Sequence, residues 1–102
     1  MDAVPTEPPS HDALSDIRDR LDDVDTRLVG LLAERGELIR EVIDFKRAHG
    51  KGVVDRDRED VMLARIGVLA SERGLDPRIA RQVLRAVIDA FTLLEVEQLG
   101  TD

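Results

Sequence analysis

The chain has 102 residues, of which 42% are apolar, 36% charged and 2% aromatic, with a formal net charge of −7 and no cysteine. That length implies one small domain with a modest core. So few aromatics and so acidic a balance argue against a nucleic-acid surface, and the lack of cysteine removes disulfides and thiolate chemistry. No apolar run approaches the roughly 18 residues a membrane span needs, and the N-terminus lacks a signal peptide's basic and apolar regions. The expectation is a helical protein of the cytoplasm.

Residues 1 to about 11 (MDAVPTEPPSH) hold three of the four prolines and almost nothing apolar, which predicts a disordered tail before a domain over residues 12–102. From Asp12 to Ala48 there is no proline and the apolar spacing is helical throughout, so the segment reads as one helix of some 37 residues. "HGKG" ends it with two glycines at Gly50 and Gly52. A second helix follows over about 57–73, with Met62, Ile66 and Leu69 on one face, and Gly74 stops it. "LDPR" predicts the start of a third, with Asp76 as N-cap and Pro77 in the first helical position. Its stripe runs Val83, Leu84, Val87, Ile88, Phe91 and Leu94 toward Leu99. The fold class is all-α, three helices with a very long first one.

The first helix breaks its own pattern. Leu14, Ile17, Leu21, Val24, Leu28 and Leu31 recur at alternating spacings of three and four, the next slot is Arg35, and the stripe resumes at Leu38, Val42 and Phe45. Lys46 lies eleven residues after Arg35, close to three turns, so both cations share a face. A lone seam arginine is most simply the partner of a carboxylate on another helix. Two cations on one apolar face suit a small anion better, because a guanidinium grips carboxylates bidentately and an ammonium adds a compact charge. Arg18, seventeen residues before Arg35, points about 100° away, so only a partner helix running the other way brings the two arginines to one ligand.

Length supplies that partner helix. Thirty-seven helical residues span roughly 55 Å, whereas a compact chain of this size has a radius of gyration near 13 Å. The helix therefore projects beyond its own chain's core with apolar positions along most of it. A second copy is the simplest cover, and the seam spacing fits coiled-coil-like packing in a twofold dimer.

Residues 14–98 resemble the all-helical bacterial chorismate mutases. The resemblance is carried by "IRDRLDDVDTRLVGLLAERGELIREVIDFK", by "VVDRDRE", and by the ordered set Arg18, Arg35, Lys46, Asp55, Arg58 and Glu59. It implies an intertwined homodimer whose sites each take one arginine from the other chain, and conversion of chorismate to prephenate in aromatic amino acid or related specialised biosynthesis. By resemblance, Arg35 and the partner copy's Arg18 clamp the substrate's two carboxylates. Lys46 reaches a carboxylate and the ether oxygen, Glu59 and the Asp55 backbone hold the ring hydroxyl, and Arg58 adds positive field. No cofactor or metal is implied: the rearrangement is intramolecular, and His11 and His49 sit in presumed tail and loop. The plainer reading of "DRDRED" is a solvated, capped helix start, since Asp55 and Asp57 both suit an N-cap.

The third helix departs from the common family pattern. Where many members carry serine and then glutamine facing the ether oxygen, this chain has Phe91 and Glu95, with Thr92 about 100° away from Phe91. Glu95 follows Leu84, Ile88 and Phe91 at helical spacing, so it belongs to an apolar face. An ionised carboxylate there repels an oxygen gaining negative charge, whereas a protonated one donates to it; the alternative is that Glu95 pairs with a cation away from substrate. Three other functions stay open at this point. Two use the same scaffold, an isochorismate-pyruvate lyase and a mutase of 4-amino-4-deoxychorismate. The third is a non-catalytic helical dimer that regulates a pathway enzyme.

Overall fold

The computed structural model describes residues 9–50, 52 and 55–100, and 91% of these described residues are helical. Three helices follow in order: α1 (Pro9–His49), α2 (Arg56–Glu72) and α3 (Pro77–Leu99). Among the described residues there is no strand, as the all-α expectation requires. No helix is long and apolar enough to cross a membrane. The expected tail lies mostly outside the described residues. α1 begins at Pro9, three residues ahead of the predicted Asp12, because a proline in the first turn lacks only an N–H that has no intrahelical partner anyway. α2 starts one residue earlier than predicted, and α3 occupies the predicted span.

The stops are local chemistry. Gly50 follows α1 at φ 67°, a left-handed conformation that costs a glycine little. α2 ends in a Schellman motif: the Leu75 N–H donates to the Ala70 carbonyl at 2.9 Å and the Gly74 N–H to the Ser71 carbonyl at 3.2 Å, with Gly74 at φ 76°. Asp76 then caps α3 as predicted, accepting from the Arg78 N–H at 2.9 Å, with Pro77 in the first turn.

The chain divides into two units, one ending at Arg35 and one beginning at Gly36. Among the described residues, the N-terminal unit is the first part of α1. Leu14, Ile17, Leu21, Val24, Leu28 and Leu31 are all exposed there, Leu21 at 54%. A single helix has nothing to bury a stripe against.

The second unit contains the rest of α1 with α2 and α3. Its buried apolar side chains, among the described residues, are Ile43, Ala70, Ala80 and Ile88. Small residues bring α2 and α3 together: Gly67 is buried, and a Cβ there would run into the Arg81 guanidinium across the interface. The end of α1 reaches α3 through the Arg47 guanidinium, which donates to the Gln98 carbonyl at 2.8 Å. A Cβ on Gly36 would stand 3.4 Å from the Phe91 ring, so the glycine leaves room for that ring beside α1. The predicted faces of α2 and α3 are only half covered. Met62, Ile66, Leu69, Leu84, Val87, Phe91 and Leu94 are intermediate in exposure, and Val83 is exposed.

Candidate active site

The second unit carries a cleft of about 850 Å³ between the end of α1 and the start of α2. Leu38, Val42, Phe45 and Lys46 form one wall, and Asp55, Arg56 and Arg58 line the other. That volume is in the range of small-molecule sites, and apolar walls with a few converging charges are their usual make-up.

Lys46 reaches the cleft because it stands one position beyond the Leu38, Val42, Phe45 stripe of α1. Its Nζ donates to Glu95 Oε1 of α3 at 2.9 Å, with side-chain exposures of 19% and 9%. Both groups are thus largely withdrawn from water. A polar pair in such surroundings interacts more strongly than one in solvent. Glu95 is buried, as its place in the apolar stripe predicted, and Lys46 is its bonded cation.

The start of α2 supplies the opposite wall through its cap. Asp55 Oδ1 accepts from the Arg58 N–H at 3.0 Å, and the Asp55 carbonyl accepts from the Glu59 N–H at 3.1 Å. This is the capped helix start that the plainer reading of "DRDRED" anticipated, and its side chains still face the cleft. Arg58 is exposed. Glu59 behaves differently. It is 8% exposed, and its Oε1 accepts from Arg56 at 3.2 Å and from Arg85 of α3 at 2.9 Å.

The residues expected to act thus fall into three groups. Lys46, Asp55 and Arg58 line the cleft. Glu59 and Glu95 do not line it, but each is bonded to a residue that does, Arg56 and Lys46 respectively. Arg18 and Arg35 belong to the N-terminal unit, Arg18 exposed and Arg35 half-buried. His49 is exposed and stacks on Phe45 with ring centroids 4.0 Å apart, outside this chemistry. Sequence reasoning missed Arg85 and Arg56 as partners of Glu59. The only signal was a charge at Arg85 beside Leu84 and Ile88 in the inward stripe of α3.

Comparison with known proteins decides the family. The model of chorismate mutase type II matches residues 17–96. The chain belongs to the chorismate mutase type II family. It is similar to a chorismate mutase of Methanocaldococcus jannaschii, 29% identical over 86 residues that make up 84% of this chain and 87% of that protein. The T-protein of Enterobacter agglomerans is 39% identical over 75 residues, 74% of this chain but 20% of its own length. A bifunctional chorismate mutase/prephenate dehydratase of the same organism is 33% identical over 79 residues, 78% of this chain and 20% of that protein. The chain thus spans most of the first relative and about a fifth of the other two.

Proposed function

We propose that this chorismate mutase rearranges chorismate to prephenate in a site shared by two copies of the chain, in the cytoplasm. The single observation that carries the chemistry is Lys46: an ammonium on the wall of a ligand-sized cleft, withdrawn from water and fixed by Glu95. In the reaction the ether C–O bond breaks as a C–C bond forms within one molecule, so no nucleophile, cofactor or net proton transfer is needed. The protein has to hold the enolpyruvyl arm over the ring and stabilise charge developing on the ether oxygen. A fixed ammonium does the second without reorganising.

The remaining roles follow the charges available. Arg35 and Arg18 of a second copy clamp the two carboxylates, Arg58 adds positive field at the rim, and Glu59 with the Asp55 backbone takes the ring hydroxyl. Two features support the second copy. The first unit's stripe from Leu14 to Leu31 is exposed, and the second unit leaves Leu38 at 56% and Phe45 at 54%. Apolar stripes on that scale call for a partner surface. The stripe's spacing of three and four suits an identical helix packed along it. The dehydratase-fused relatives are named for an enzyme acting on prephenate, which agrees with prephenate as product.

The deciding experiment incubates the purified protein separately with chorismate, isochorismate and 4-amino-4-deoxychorismate. Prephenate from chorismate alone is the expected result. Turnover of either other substrate in its place, or of none, overturns the reading.

A further inference from the structure

The Glu59 carboxylate is held from two helices. Arg56, three residues before it on α2, donates to Oε1 at 3.2 Å, and Arg85 of α3 donates Nη1 to the same oxygen at 2.9 Å. The two donors are unequal, since the Arg56 side chain is 73% exposed and that of Arg85 37%. A bond from so exposed an arm exchanges readily with water, so Arg85 supplies most of the hold. Asp89, one turn further along α3, lies 3.6 Å from the same Arg85 Nη1 and keeps the guanidinium from swinging away. Bonding to Glu59 raises the Arg85 pKa further above its ordinary value, so the cation is permanent. Asp55 gives the Glu59 carboxylate no donor: its carbonyl accepts from the Glu59 N–H and its carboxylate from the Arg58 N–H. Both guanidinium bonds fall on Oε1, and among the described residues Oε2 accepts none.

We infer that Arg85 is a positioning residue that pins Glu59 by Oε1 and so presents Oε2 as the acceptor for the hydroxyl on the substrate ring. The inference rests on the mutase reading, in which Glu59 takes that hydroxyl. A glutamate side chain turns about three bonds, and fixing it before substrate arrives removes an ordering cost from binding. The hydroxyl persists in ground and transition states alike, so a loose Glu59 weakens both equally. Such a loss appears in KM and leaves kcat nearly unchanged.

The test is steady-state turnover of chorismate by wild type, Arg85→Gln, Arg85→Lys, Glu59→Gln and the Glu59→Gln/Arg85→Gln pair, with helix content followed by circular dichroism. Arg85→Gln is expected to raise KM on the order of 10-fold with kcat within about threefold, the scale of one hydrogen bond to a charged group. Arg85→Lys, which keeps a cation in reach of Oε1, should recover most of the loss. In the Glu59→Gln background the Arg85 change should cost little further, and with a substrate analogue lacking the ring hydroxyl it should cost nothing. Arg85→Met keeps the packed stem and replaces Arg85→Gln if the latter loses helix. Equal costs with and without Glu59, or an unchanged KM in an active protein, overturn the positioning role alone. A wild type inactive on chorismate overturns the mutase reading, and this inference with it.

Discussion

Lys46 Nζ and Glu95 Oε1 stand 2.9 Å apart, joining the cleft wall of α1 to a buried position on α3. The bond does two things at once. It ties the end of the long helix to the third, and it holds an ammonium on the wall of the cleft.

Those two roles separate by mutation. Lys46→Ala should lower kcat on the order of 10²- to 10³-fold, the usual effect of losing one preorganised donor to a developing oxyanion. It also leaves the Glu95 carboxylate buried without this partner, so thermal stability should fall, by on the order of 3 kcal/mol if the site stays dry. Adding Glu95→Gln to Lys46→Ala should recover most of the stability and none of the kcat. A double variant that recovers both assigns Lys46 a structural role only. Lys46→Arg should be nearly as slow as Lys46→Ala, because a planar fork does not replace a compact ammonium.

Glu95 itself is tested by substitution. If Glu95 acts by donating a hydrogen bond to the ether oxygen, Glu95→Gln, whose amide donates, should keep activity near neutrality, and Glu95→Ala, which cannot donate, should lower kcat. Glu95→Ala with an unchanged kcat removes Glu95 from the chemistry.

Subunit sharing is tested by mixing. Arg18→Ala and Arg35→Ala proteins should each be inactive, and activity should return once their subunits exchange. In the mixed dimer one site collects both substitutions and the other neither, so up to about half the sites of each heterodimer recover. Exchange without recovered activity sinks the shared site. Leu28→Asp, at a position 47% exposed in the single chain, should dissociate the dimer in sedimentation; a monomeric protein would tolerate it.

The cap of α3 carries its own pH signature. Arg78 holds the Asp76 carboxyl below the usual carboxylate range, chiefly through its side chain and then through its N–H. A carboxylate whose folded pKa is depressed stabilises the fold above its unfolded pKa and loses that contribution as pH falls through the folded value. The Tm deficit of Asp76→Ala should therefore be largest near neutrality and fade in acid, once pH falls below the ordinary carboxylate range. Asp76→Asn keeps a capping oxygen without the charge and should show a smaller, flatter deficit. A deficit for Asp76→Ala that persists undiminished in acid would falsify the charge contribution.

The sequence by itself determined what is local and periodic. Pro77 after Asp76 set the start of α3 and Gly74 the end of α2, because caps and left-handed turns depend on neighbours within a few residues. The three-and-four spacing of the α1 stripe gave one long helix, and the break at Arg35 marked it as unusual. Lys46 was legible from its place on the α1 face, whereas Asp55 and Arg58 joined it only through the family resemblance. What only the tertiary structure decided is which charge meets which. Glu95 could have stood away from every cation until α3 was set against α1, and Arg85 had no visible tie to Glu59, 26 residues away. Periodicity names the face of one helix but not the register between two. Ion pairs across helices depend on that register, which is set by close packing such as that of Gly67 against Arg81 and of Gly36 beside Phe91.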